Sequence, residues 1–575
     1  MPLDQSTTDK IYHRLAFLYG DKATDILSRI KLLAGKYPKL NGTEFPRDSW
    51  THKSVYVISY GDSLLSEKEE PIPTLKRFID EKLNNLITGV HILPFFPYSS
   101  DDGFSVIDYR KVREDLGDWD DVKDMAKRYR VMADLVINHI SSKSDWFQEF
   151  LDGRQPGLDY FHTKNIETDY GMVTRPRSTP LLTPVQTNDG VKHVWTTFSP
   201  DQVDVNFANP DVLLEYIDIL LFYLANHIKV IRLDAVAFLW KKDGTNCIHL
   251  KETHEVVKLI RDLVEAVAPD TIIITETNVP HDENISYYGD GDEAHMVYNF
   301  SLPPLLFHAI LTGNASYLSE WSRKLTPPPE GCTYFNFSAS HDGIGVRPLE
   351  GLVPQEDFDL VVQAAKDRGG FVSYKQNPNG VETPYELNIT FFDAFKDPDD
   401  PENVKDQIKR FMCSQILMLS FRGVPAIYIH CLTATPNYHE GVKETGVKRT
   451  INRRKWKLSE LEEILEDEEH PTTIVLNAWK QILTTRRTEP AFHPESGKEV
   501  METPNEIFSM LRLSPDGSSA VIVVANVSDK NVSYNIPLSP LEYQGPWVDL
   551  ISRKRVNPRN KIPLEPWQIM WIKIR

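Results

Sequence analysis

Cysteine is scarce in this chain, with four residues, Cys247, Cys332, Cys413 and Cys431, among 575. None of their spacings suits zinc or a redox pair, and four scattered thiols make no disulfide framework. Basic charge is also in deficit: 64 Lys and Arg stand against 82 Asp and Glu, a formal charge of −18. A partner rich in phosphate backbone needs a basic face to release counterions, so nucleic acid is excluded as a partner. The nearest basic run, 448–457 (KRTINRRKWK), is short and broken by apolar residues. No apolar run reaches membrane length, and the first residues (MPLDQSTTDKIYHRL) lack the basic and apolar regions of a secretory signal. These absences predict a cytoplasmic protein with no membrane partner. The acidic residues do not cluster at calcium-loop spacing, so no metal or other cofactor is expected. Oligomeric state is not readable.

What is present is apolar sequence in a regular rhythm. Apolar residues make up 41% of the chain, enough for a large core with accessory domains. Residues 8–36 carry helical periodicity. After them come short apolar, β-branched runs near 55–60, 87–95, 131–138, 230–233, 272–276, 334–340 and 426–429, separated by helical stretches. Continuous apolar strands alternating with helices predict a parallel sheet buried on both faces, either doubly wound or closed as a (β/α)8 barrel. The polar residues favour the barrel. Asp134 and Asn138-His139, Arg232 and Asp234, Glu276, and His341-Asp342 each sit at or after the end of a different strand, which is what one rim of a barrel collects. No glycine-rich phosphate turn follows the first strand. The expected organisation is a helical extension over 1–50 and a (β/α)8 catalytic barrel over 51–138, 201–342 and 411–498. Two subdomains are inserted, 139–200 and 343–410, and a C-terminal β-sandwich domain covers 499–575.

A glycosidic bond breaks through an oxocarbenium-like transition state, which needs an acid for the leaving oxygen and a carboxylate for the anomeric carbon. Asp234 in VIRLDAVAF and Glu276 in IIITETN follow apolar strands, where an unpaired charge is costly. Four segments, Asp134-Leu-Val-Ile-Asn-His139, Ile231-Arg-Leu-Asp-Ala235, Ile274-Thr-Glu276-Thr-Asn278 and Ser340-His-Asp342, resemble, in order, the signature regions of the α-amylase clan. The resemblance implies Asp234 as nucleophile, Glu276 as general acid/base and Asp342 as transition-state stabiliser. It implies that Arg232 keeps Asp234 ionised, and that His139 and His341 bind glucosyl hydroxyls. Glu276 must be protonated to act first, so its pKa should be raised.

Further segments resemble the sucrose phosphorylase group: His91-Ile-Leu-Pro-Phe-Phe-Pro97, the stretch from Asp101 to Tyr109, and Val194 to Asp204. By that resemblance Asp101 and Arg453 grip the donor glucose, Phe104 and Phe198 wall the pocket, and Gln202 lies near it. Within the group the chain is most similar to the glucosylglycerate phosphorylases, through Gly244 to His254, Ile274 to His281, Glu293 to Tyr298, Ser340 to Gly345 and Thr383 to Glu386. The implied reaction is retaining phosphorolysis of 2-O-α-glucosylglycerate to α-glucose 1-phosphate and glycerate. The partners are then the glucoside, inorganic phosphate and glycerate. Sucrose or sucrose 6-phosphate phosphorolysis is the alternative, and α-glucoside hydrolysis a further one. Anionic acceptors need fixed positive charge. The two inserts offer Arg175 and Arg177 in TRPRSTPLLTP, and Arg368 and Lys375 in RGGFVSYK, where Tyr374 is a further candidate for substrate contact. Of these, Arg177 lies where the group places an acceptor-side arginine.

Overall fold

A computed structural model describes residues 3–37, 40, 50–376, 381–537 and 547–575. Eight strands close a parallel barrel: β1 Tyr56–Ser59, β2 Gly89–Ile92, β3 Arg130–Val136, β4 Val230–Asp234, β5 Ile272–Thr275, β6 Met296–Tyr298, β7 Thr333–Phe337 and β8 Val424–Tyr428. Each pairs in parallel with its sequence neighbours, and β8 closes on β1 with Tyr56 opposite Ala426. Nearly every strand residue is buried, as apolar strands with a side-chain core inside and helices outside require. Seven strands fall where the apolar runs predict them. The eighth, β6, is three residues long and follows the loop GDGDEAH, too short to stand out as an apolar run.

The N-terminal extension forms two helices, α1 Gln5–Tyr19 and α2 Ala23–Gly35. The Asp4 side chain caps α1 by accepting from Thr7 N at 2.7 Å. Its buried stripe, Ile11 and Leu15, packs beside the barrel. Arg14 fixes the contact through Glu255 at 3.1 Å and Asp262 at 3.4 Å, both on the barrel helix Lys251–Val267.

Both predicted inserts leave the barrel's C-terminal rim. The first contains the hairpin Leu182–Thr187 with Gly190–Trp195 and returns through Gln202–Asp204, paired antiparallel with His139–Ser141. The second holds helix Gln355–Asp367 and a three-stranded sheet of Ile344–Gly345, Glu382–Asn388 and Phe371–Gln376. Residues 377–380, between Phe371–Gln376 and Glu382–Asn388 in sequence, lie outside the described residues.

The C-terminal region is a six-stranded antiparallel sheet with a two-stranded ribbon. The period-2 alternation of its strands splits their side chains. Phe508, Met510, Val521, Val523 and Trp571 join the barrel core, while Ile507, Ile522, Val524 and Ile572 form a separate core with Tyr534 and Ile562 of the ribbon. Among the described residues no helix is long and apolar enough to cross a membrane.

Candidate active site

The pocket is built from the inside of the barrel outward. Asp134 lies within β3 rather than at its end, fully buried, opposite Arg232 of β4 in the strand register. His91 of β2 hydrogen-bonds Asp134 through Nε2 at 2.7 Å, and Arg232 Nη1 donates to the other Asp134 oxygen. The same Nη1 donates to Asp234 Oδ1 at 2.6 Å, and Arg232 Nη2 stands 3.8 Å from Glu276. One guanidinium therefore serves three carboxyls. Asp234 ends β4, and Ala235 after it takes a left-handed φ of 51°. That turn, unusual for alanine, aims the Ala235 N–H at Glu276 Oε2, 3.2 Å away, and so ties the two candidate catalytic carboxyls together.

Burial raises the Glu276 carboxyl, Arg232 opposes it, and Asp342 raises it further, as its expected role requires. Asp234 departs from expectation. Burial, with Glu276 and Asp134 beside it, pushes its carboxyl well up, further than Arg232 draws it down. Two raised carboxyls this close titrate as a pair rather than separately. The 2.6 Å bond from Arg232 makes Asp234 the anion of the pair and leaves the proton on Glu276.

Asp342 follows β7. Its loop is pressed against the second insert, for a Cβ on Gly343 would fall 2.2 Å from Leu387 O at a φ of 109°. Arg449 Nη1 pairs with Asp342 at 2.9 Å and stands 3.6 Å from Asp101. Its Nε and Nη2 fork onto Glu386 at 3.0 and 2.7 Å. Against burial, Arg449 first, with Arg453 and Arg232, holds the Asp342 carboxyl well below the usual range. His341 itself is kept neutral by burial and stacks flat on Phe104, ring centres 4.8 Å apart. His139 packs against Phe198 at 5.1 Å, and Gln202 Nε2 reaches Phe104 O at 3.2 Å and Asp101 at 3.4 Å.

The structure thus brings Asp101, Phe104, His139, Arg177, Phe198, Gln202, Arg232, Asp234, Glu276, His341 and Asp342 to one cleft of about 710 Å³, measured to its open mouth. Four predicted residues lie elsewhere. Arg453 stands behind the wall, donating to His341 O at 2.9 Å and to Asp102 at 2.5 Å, so Arg449, one helical turn earlier, takes the place expected for it beside Asp101. Arg368 ends the helix Gln355–Asp367, and its side chain turns back to Ala364 O at 3.0 Å; it lines a separate cavity with Arg410 and Trp567. Lys375 pairs with Glu350 at 3.2 Å, and Tyr374, half-buried on the same strand, packs against the core outside the cleft. Residues not singled out beforehand complete the lining: Asn278, Arg347, Tyr385, Glu386 and Arg449. Their signals were weak, since Arg449 sits in an ordinary basic run and Tyr385-Glu386 in a loop. Among the described residues no group of three or more His, Cys, Asp or Glu is placed to hold a metal ion.

Comparison with known proteins agrees with this architecture. The alpha amylase catalytic-domain model matches residues 80–324. A glucosylglycerate phosphorylase of Spirochaeta thermophila is 49% identical over 531 residues, 90% of this chain and 89% of that one. One from Allomeiothermus silvanus is 44% identical, covering 90% and 92%. The crystal structure of sucrose 6F-phosphate phosphorylase from Thermoanaerobacter thermosaccharolyticum superposes with a TM-score of 0.72 over 88% of this chain and 98% of that chain. At 22% identity that likeness is one of fold.

Proposed function

The chain belongs to the α-amylase family, within the group of glucosylglycerate phosphorylases, and from that membership we propose that it cleaves 2-O-α-glucosylglycerate with phosphate, with net retention. The observation that carries this is the near full-length identity of 44–49% to two such phosphorylases. In the first half-reaction an Asp234 oxygen attacks the anomeric carbon while the Glu276 proton passes to the glycosidic oxygen, and glycerate leaves. In the second, a hydrogenphosphate oxygen attacks the same carbon, its proton returns to Glu276, and Asp234 is released as carboxylate. Two inversions give α-glucose 1-phosphate. Arg232 stabilises the Asp234 anion, and Asp342 faces the positive charge that develops on the sugar ring. Asp101, His139, His341 and Arg449 are suited to the donor hydroxyls, with Phe104 and Phe198 as apolar walls. Arg177, 5.7 Å from the Tyr385 ring at the cleft, supports an anionic acceptor.

A coupled assay of glucose 1-phosphate release tests the reaction, with 2-O-α-glucosylglycerate, sucrose and sucrose 6-phosphate compared with and without phosphate. The expected outcome is phosphate-dependent release from glucosylglycerate alone. Free glucose without phosphate would make the protein a hydrolase.

A further inference from the structure

Five arginines stand in or against the cleft, and they divide by what neutralises them. Arg232 is paired with Asp134 and Asp234, Arg449 with Asp342 and Glu386, and Arg453 with Asp102. Arg177 and Arg347 also line the cleft, and neither has a carboxylate within ion-pair distance among the described residues. The Arg347 Nε is buried and donates to nothing. Such an unmet donor leaves the guanidinium without a fixed protein partner.

Arg347 is held where an acceptor would lie. The Val346 N–H donates to Tyr385 O at 3.0 Å, which fixes the start of the turn Arg347–Leu349 beside Tyr385. Gly345 packs so closely on Asn278 that a Cβ there would come 2.9 Å from its Nδ2. Asn278 Oδ1 is buried and also lacks a partner. Burial raises the Tyr385 phenol to about 12, and the charges of Arg177 and Arg347 both act against that rise, so both cations lie near its ring. Arg177 arrives from the insert at 139–200 and Arg347 from the insert at 343–410. The reacting end of the cleft holds the carboxylates Asp101, Asp234 and Asp342. An anion can approach it only where cations stand free of such partners.

We propose that Arg347 is a specificity-determining residue that reads the acceptor's carboxylate, together with Arg177 near the same Tyr385 ring. This rests on the phosphorylase function above and adds the residue that selects a charged three-carbon acceptor over a neutral one.

The test runs in the synthetic direction, with α-glucose 1-phosphate as donor, and compares glycerate with glycerol, the same skeleton without the carboxylate. The readout is the ratio of the two kcat/KM values, which general damage to folding leaves unmoved. Arg347→Ala should lower the glycerate-to-glycerol ratio about 10- to 100-fold, the range of a lost charge-assisted hydrogen bond. Arg347→Lys, which keeps the charge and loses the fork, should fall between the two and serves if the alanine variant does not fold. A wild-type ratio in both variants would overturn the assignment. A wild-type enzyme with no preference for glycerate would instead sink the functional reading itself, before any variant is made.

Discussion

The two ends of the barrel bury arginine in opposite ways. At the N-terminal end, Arg486 donates to the carbonyls of Leu419, His52 and Phe492 at 3.2, 2.7 and 3.1 Å, and Arg512 to those of Ser420 and His493 at 3.0 and 3.1 Å. No carboxylate offsets their burial, which draws both guanidinium pKa values down. At the C-terminal end Arg232 is buried and Arg449 largely so, yet against burial their carboxylate partners hold them well up. Carbonyl partners carry no proton to exchange, so the first arrangement only locks the C-terminal sheet to the barrel floor. Carboxylate partners are reactive groups, so the second keeps a reacting constellation charged and aligned. Within the barrel architecture the two ends divide stability from chemistry in the same sense.

That division breaks if a rim substitution acts mainly on stability or a floor substitution mainly on turnover. Asp234→Asn should show the largest effect, a loss of about 10⁴-fold in kcat, because no glucosyl-enzyme can form. Intact-mass measurement with substrate should find no adduct. The unfolding midpoint should hold or rise, since the amide removes a charge whose burial is unfavourable. Arg449→Ala should come next, at about 10²- to 10³-fold in kcat, the scale of one lost electrostatic stabiliser. It frees Asp342 and Glu386 together. Arg486→Met should leave kcat within about twofold and cost about 2–4 kcal/mol of stability, read as a lower thermal midpoint, because three buried carbonyls lose their donor. A large kcat loss in Arg486→Met would refute the separation of the two ends.

The rim was far more legible in the sequence than the acceptor side. Asp234, Glu276 and Asp342 follow apolar strands, and a strand end in a parallel barrel has one place to go, so their meeting could be anticipated. β6 was missed because Met296–Tyr298 is too short to register as an apolar run, although the barrel needs it to close. The acceptor cations were a matter of facing. Arg347, Arg368 and Lys375 belong to one insert and look alike as loop charges. Backbone pairing decides among them: the strand Ile344–Gly345 carries Arg347 to the cleft, while Arg368 folds back on its own helix and Lys375 meets Glu350. Arg449 and Arg453 pose the same problem four residues apart, and only the packed turn Lys448–Asn452 tells which faces the cleft.

The smallest expected effect concerns acid. His91, His139 and His341 are buried at the rim, and burial first, against neighbouring carboxylates, lowers all three imidazoles. A folded value below the unfolded one means that the unfolded chain binds protons first. Their contribution to stability is therefore complete above pH ~6.5 and declines as pH falls below it, by about 1.4 kcal/mol per pH unit for each ring. Asp234 and Glu276 act with the opposite sign: with folded values raised, the folded state takes up the proton first, and stability grows as pH falls through their window. The carboxyls therefore offset part of the histidines' acid slope. Glu276→Gln removes one opposing group, so the midpoint of this variant should fall more steeply than wild type between pH 7 and pH 5. At the carbonyl-held floor burial lowers His52 and His493, less buried than the rim histidines, so hydrogen exchange should show protection lost first at the rim and kept longer over 507–526. An equally shallow slope in Glu276→Gln would mean that the histidines already carry protons in the folded state, and the rim would then be balanced by a different set of charges.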